Sequence, residues 1–142
     1  MKSELKINTS FVSPATLERF RSNNILPIFI VRNIENSELI GQYSGSPVHL
    51  KELSPSNELF RKKRDKALSI DEFKKLYVIE ITERVDLKRI IDKLESLVEL
   101  SGARSIVLLG YGSDYDSCHR SVLAKILNGS GLLEKPVKEL VV

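Results

Sequence analysis

One continuously apolar segment, residues 105–111, places the strongest constraint on the fold. Its sequence, Ser-Ile-Val-Leu-Leu-Gly-Tyr, offers no polar face to water. A strand that is buried on both faces is typical of a parallel sheet, because the crossover helices of such a sheet cover both of its sides. The segment therefore predicts the central strand of an α/β sheet.

Strand-like and helix-like segments alternate along the rest of the chain. Helix starts are marked by Ser13-Pro14, by the capping box from Ser69 to Glu72 and by Asp86, because Ser and Asp side chains accept hydrogen bonds from the free N–H groups of a first turn. Alternation of this kind favours right-handed crossovers and a mostly parallel sheet. We expect strands over residues 4–8, 26–31, 48–50, 105–111 and 136–142, and helices that begin near residues 14, 54, 70, 86 and 118.

The length of 142 residues fits one folding unit, since domains commonly contain about 100–150 residues. Hydrophobic residues make up 42% of the chain and charged residues 29%, which excludes a disordered or collagen-like chain. We predict a single domain over residues 1–142 with a three-layer α/β/α, Rossmann-like architecture. The longest irregular stretch, residues 33–47, is a candidate functional loop.

The composition favours a soluble protein in a reducing compartment. The longest apolar run, residues 25–31, is far shorter than the about 20 residues that a membrane-spanning helix needs. Cys118 is the only cysteine, so an intrachain disulfide is excluded. We expect a cytoplasmic location and no membrane partner.

The net charge of +3 is concentrated between residues 57 and 75. A basic stripe on one element can bind nucleic acid or another acidic partner, although a short run of mixed charges is usually a solvated helix face. The region holds the basic residues Arg61, Lys62, Lys63, Arg64, Lys66, Lys74 and Lys75 and the acidic residues Glu58, Asp65, Asp71 and Glu72.

The segment from Tyr111 to Arg120 is the main candidate for a functional site. It joins the central strand to a helix, and ligands of open α/β sheets bind beyond the carboxyl ends of the strands. The free N–H groups and the dipole of a helix N-terminus favour an anion there. Arg120 could hold a phosphate or carboxylate, Cys118 could become a nucleophile and His119 could transfer protons. Structural roles for all three residues are the alternative.

Several well-defined site patterns are absent from the chain. There is no P-loop, and the glycine pattern at residues 110–115 lacks the third glycine of a dinucleotide fingerprint. Position 124, six residues after Cys118, is Ala rather than the Arg of a cysteine phosphatase. These absences leave the cofactor unknown.

A metal site is the less favoured use of the same segment. Asp114, Asp116 and His119 have suitable side chains. However, the positive end of a helix dipole repels cations, and no further Cys or His cluster supports the site. We therefore predict no metal.

Four motifs follow one another along the chain: Phe29-Ile-Val-Arg32, Lys51-Glu-Leu-Ser-Pro-Ser-x-Glu-Leu59, Phe73-x-x-x-Tyr77-x-x-Glu80 and Asp116-Ser-Cys-His-Arg-Ser-x-Leu-Ala124. In this order they resemble the family catalogued as domain of unknown function 488, over nearly the whole chain. The resemblance implies an α/β fold. It also implies a site that includes Arg32, Tyr77, Cys118, His119 and Arg120, and it implies no particular reaction.

Our favoured hypothesis is a site for a small phosphate- or carboxylate-bearing ligand at the crevice where the strands end. The sequence leaves open whether the protein is an enzyme, and a nucleic-acid-binding module that uses residues 61–66 is one alternative. The other is an interaction protein or homo-oligomer that pairs through residues 33–47 or an edge strand at residues 137–142. The candidate catalytic residues are Cys118 and His119, and the candidate ligand-binding residues are Arg32, Arg120, Ser54, Tyr77 and Tyr111.

Overall fold

The computed structural model describes residues 2–32 and 48–140, and within these ranges five strands form one sheet. The strand order is β3-β2-β4-β1-β5, and every pairing is parallel. This arrangement confirms the α/β, Rossmann-like class. The strands are β1 (Ile7–Phe11), β2 (Ile25–Phe29), β3 (Val48–His49), β4 (Ser105–Gly110) and β5 (Lys138–Glu139).

Strand β4 occupies the centre of the sheet, as its apolar sequence predicts. All six of its residues are buried, and it pairs with β2 on one side and with β1 on the other. Ile106 is aligned with Leu26 of β2 and with Ile7 of β1. The carboxyl ends of β2 and β4 therefore meet at the same edge of the sheet.

Five helices connect and cover the strands within the described residues, and their starts follow the predicted caps. The side chains of Ser13, Ser69 and Asp86 each accept a hydrogen bond from the third backbone N–H beyond them. Gly102 ends one helix at φ 72°, a left-handed conformation that glycine adopts without strain. The helices are α1 (Pro14–Ser22), α2 (Asn57–Arg64), α3 (Ile70–Arg84), α4 (Leu87–Ser101) and α5 (His119–Gly129), and a short 3₁₀ turn spans Lys51–Leu53.

The sheet has an apolar cluster on each face, which makes three layers. On one face Leu17 and Phe20 of α1 pack with Val107 and Leu109 of β4. On the other face the buried residues of α3, α4 and α5 surround Ile106 and Leu108. No helix of the described residues has the length and apolar character needed to cross a membrane.

Several element boundaries differ from the sequence predictions. The first strand is Ile7–Phe11 rather than residues 4–8, because pairing with β4 and β5, not apolar content, determines its extent. Helix α5 ends at Gly129, and the left-handed residue that follows it is Gly131. The last described strand is only Lys138–Glu139. The predicted loop at residues 33–47 and the end of the predicted final strand lie outside the described residues.

Candidate functional site

A cleft with a volume of about 380 Å³ lies at the edge of the sheet where β2 and β4 end. The lining comes from the segments that follow these two strands, from the start of α5 and from α2, with Pro55 and Phe73 in addition. The cleft is lined by Val31, Arg32, Pro55, Phe60, Lys63, Arg64, Phe73, Tyr111, Gly112, Ser117, Cys118 and His119.

Cys118 and His119 lie together at the start of α5. Cys118 is the N-cap residue, and its Sγ lies 3.8 Å from Nδ1 of His119. The other imidazole nitrogen, Nε2, lies 2.6 Å from the carbonyl oxygen of Ile30. Because a carbonyl oxygen can only accept, Nε2 must carry a proton and donate it. In a neutral imidazole Nδ1 is then an acceptor that faces the thiol, so His119 can take the proton of Cys118.

The surroundings of Cys118 favour its thiolate. Burial alone would raise its pKa, but the hydrogen bond and charge of His119 and the backbone amide and guanidinium of Arg120 outweigh burial. The pKa of Cys118 is lowered from 9.0 to about 6. A thiol with this pKa is largely ionised at neutral pH, and the thiolate is the nucleophilic form of cysteine.

Close contact with Gly110, the last residue of β4, positions the sulfur. A Cβ atom built on Gly110 would lie 2.7 Å from Sγ of Cys118, which is too close for any side chain. Glycine at this position therefore lets the sulfur lie directly against the strand end.

Arg120 lies behind the cysteine rather than in the cleft. Its side chain is fully buried and forms an ion pair with Glu139, with Nη2 at 2.9 Å from Oε2. Nη1 of Arg120 donates to the carbonyl oxygen of Gly112, and Oε1 of Glu139 also accepts from the Thr9 hydroxyl at 2.7 Å. Burial opposes the charge of Arg120, but Glu139 outweighs that effect, so the pKa of Arg120 is raised. The guanidinium therefore supports the segment between β4 and α5 and contributes positive charge near Sγ of Cys118.

Lys63 projects from α2 into the cleft, a placement that the charge pattern of the sequence does not indicate. Its Nζ donates to the carbonyl oxygen of Ser117 at 2.7 Å and lies 4.3 Å from the centre of the Phe73 ring. Burial is the main cause of a lowered pKa for Lys63, the charge of Cys118 opposes it, and the charges of Arg120 and Lys74 add to it. Only the three-residue spacing from Phe60, another cleft residue of α2, could have indicated this orientation.

The remaining predicted ligand-binding residues divide into two groups. Arg32 and Tyr111 line the cleft, and Nε of Arg32 donates to Oδ1 of Asn57 at 2.7 Å. Ser54 is buried outside the lining, and its hydroxyl donates to the carbonyl oxygen of Lys51.

Tyr77 is also fully buried and outside the cleft lining. Its hydroxyl donates to the carbonyl oxygen of Leu53, and its ring packs edge-on against His119 with 5.4 Å between ring centres. Burial is the main cause of a raised pKa for Tyr77. Through these two contacts Tyr77 holds both His119 and the segment before α2 in position.

The basic run between residues 61 and 66 does not present one uniform face. Lys62 pairs with Glu58 at 3.2 Å outside the cleft, whereas Lys63 and Arg64 both line the cleft, and Arg64 also pairs with Asp65 at 3.2 Å. Within the part of the chain that the structure describes, no three His, Cys, Asp or Glu side chains are grouped as a metal site would need.

The comparison with known families gives a match that covers most of the chain. A family model for DUF488-N3a, described as the active DUF488-N3 subclade, matches residues 31–131. That range contains the three motifs between residues 51 and 124, including Cys118 and His119. No curated protein and no solved structure matches the chain.

Proposed function

The chain belongs to the active DUF488-N3 subclade of the domain of unknown function 488 family, in agreement with its motifs, and we propose that it is a cysteine-dependent enzyme for small anionic substrates. The observation that carries the proposal is the composition of the cleft. A thiol with a lowered pKa and its proton acceptor lie in the same cleft as three cationic side chains. The subclade's description as active agrees with a chemical role for these residues.

The cationic side chains are Arg32, Lys63 and Arg64, of which Arg64 also pairs with Asp65 outside the lining, and no acidic side chain is among the lining residues that the structure describes. Clefts lined by one sign of charge raise the local concentration of ligands of the opposite sign. The same cations reduce the repulsion between a thiolate and an anionic substrate. A phosphate- or carboxylate-bearing ligand is therefore the class that this cleft favours.

In the proposed reaction the thiolate of Cys118 attacks an electrophilic carbon or phosphorus atom of the substrate. The new bond forms to Sγ, and the bond to the leaving group breaks with its electron pair. The proton that Nδ1 of His119 took from the thiol is then available to the departing group. Water subsequently cleaves the sulfur-bound intermediate, which returns a proton to Sγ and gives the remaining product a hydroxyl group.

The test compares two alkylating reagents, iodoacetate and iodoacetamide, which differ in one negative charge. Both form an S–C bond and release iodide, so the ratio of their rates cancels the fraction of thiolate. Because Cys118 is the only cysteine, all alkylation of thiol reports on this site. We expect the ratio of iodoacetate to iodoacetamide rates to be at least about tenfold higher in the folded protein than in urea-unfolded protein.

Two neighbouring lysines provide the matched control. Lys63→Met should lower the ratio about fivefold, since it removes a charge close to the sulfur. Lys62→Met should leave the ratio unchanged, because Lys62 is exposed and pairs with Glu58. Equal ratios in folded and unfolded protein, with no effect of Lys63→Met, would overturn the proposal.

A further inference from the structure

The cleft has more aromatic surface than the recognition of a bare anion needs. Phe60 and Tyr111 are half-buried in its lining, next to the fully buried Phe73. Val31 and Pro55 add further apolar surface. An isolated phosphate or carboxylate gains nothing from such walls, whereas a flat apolar group gains from burial and from ring–ring contact.

Helix α2 holds the aromatic and the cationic parts of the cleft in a fixed relationship. Phe60, Lys63 and Arg64 are three and four residues apart, so they share one face of the helix. Nζ of Lys63 lies 4.3 Å from the centre of the Phe73 ring. Because Lys63 lies over the buried Phe73 ring, a ligand whose anionic group reaches Lys63 brings the group attached to it against Phe60.

The size of the cleft is consistent with such a ligand. Its volume of about 380 Å³ lies within the range of roughly 300–1,000 Å³ found for small-molecule sites. It greatly exceeds the space that inorganic phosphate or acetate fills. A bare anion held by the cationic side chains would leave the apolar part of the cleft empty.

We infer that the substrates are anions carried on an aromatic or heteroaromatic ring, with the ring against Phe60 and the anionic group at Lys63 and Arg64. This inference rests on the proposed function and specifies its substrate class. It makes Phe60 a specificity-determining residue and Lys63 the main anion contact.

Protection of Cys118 from iodoacetamide tests the inference without a known substrate. The probes are phenylphosphonate and methylphosphonate, which share the anionic group and differ in the ring. We expect half-protection at a concentration at least about tenfold lower for phenylphosphonate, because a buried ring adds favourable contact area. Phe60→Ala should remove most of this difference and leave protection by methylphosphonate unchanged.

Phe60→Leu provides a second variant that keeps the apolar volume, and it should also reduce the preference for the phenyl probe. Equal protection by the two probes would overturn the aromatic substrate class and leave the anion-binding enzyme intact. A preference that persists in both Phe60 variants would overturn the role of Phe60 and thereby the placement of the ring. Lack of protection by either probe would overturn the inference, and the iodoacetate ratio described above would decide separately whether the proposed function also fails.

Discussion

Gly110 and Cys118 are so close that Sγ of the cysteine fills the space that a side chain at position 110 would need, at 2.7 Å from a Cβ built there. The contact joins the end of the central strand to the N-cap residue of α5. It holds the sulfur where Nδ1 of His119 can reach it at 3.8 Å. The position of the candidate nucleophile thus depends on a glycine, which has no side chain.

Replacement of this glycine tests that dependence. Gly110→Ala should destabilise the protein by about 1–3 kcal/mol, as expected for overpacking in a close-packed region. It should also slow the alkylation of Cys118 at neutral pH, because the sulfur must move away from its present position. Urea unfolding and the iodoacetamide rate measure the two effects.

Gly129→Ala is the matched control, since nothing lies within 4 Å of a Cβ built on Gly129 at the end of α5. It should be neutral or slightly stabilising, because alanine favours helix more than glycine does. Equal effects of the two substitutions on stability and alkylation would contradict the account of the Gly110 contact.

The ion pair between Arg120 and Glu139 should matter for stability mainly because its loss leaves a buried charge without a partner. Glu139→Gln keeps an oxygen for the Thr9 hydroxyl but leaves a fully buried guanidinium without its counter-charge. We expect a loss of about 3 kcal/mol in the free energy of unfolding, measured by urea denaturation.

The exposed pair between Lys62 and Glu58 offers a comparison on α2. Glu58→Gln should change the free energy of unfolding by less than about 0.5 kcal/mol, because exposed ion pairs are screened by water and salt. If Glu139→Gln proved as mild as Glu58→Gln, Arg120 would have another compensating partner and its assigned supporting role would be wrong.

The sequence predicts the parts of this protein that local patterns determine. The apolar run of β4 indicated the central strand, and the caps at Ser13, Ser69 and Asp86 indicated three helix starts. Parallel pairing then explains why the ends of β2 and β4 meet at one edge. The position of Cys118 at the start of α5 follows from the same local rules.

Pairings between distant parts of the chain could not be predicted in this way. Arg120 meets Glu139 and Glu139 meets Thr9, 130 residues away in sequence. Glu80 is another carboxylate of the chain, and it accepts hydrogen bonds from Ser56 instead. Partner choice among several carboxylates depends on the tertiary fold, which charge spacing does not determine.

The orientation of α2 explains why the sequence did not indicate Lys63 as a cleft residue. A run of four basic residues suggested an outer surface, yet Lys63 faces the cleft while Arg61 and Lys62 are exposed. The side of α2 that faces the core carries its buried residue, Leu59. The segment before the helix is also anchored, by the hydroxyl of Tyr77 on the carbonyl oxygen of Leu53.

The pH dependence of Cys118 alkylation tests the central claim most directly. The thiolate reacts and the thiol does not, so the rate with iodoacetamide should rise with pH through the pKa and then level off. With a pKa lowered to about 6, the folded protein should reach half of its maximal rate near pH 6. The urea-unfolded chain should do so about two to three units higher, at the pKa of an ordinary thiol. His119→Ala should move the midpoint of the folded protein upward. A folded-state midpoint equal to that of the unfolded chain would contradict the assignment of Cys118 as an activated nucleophile.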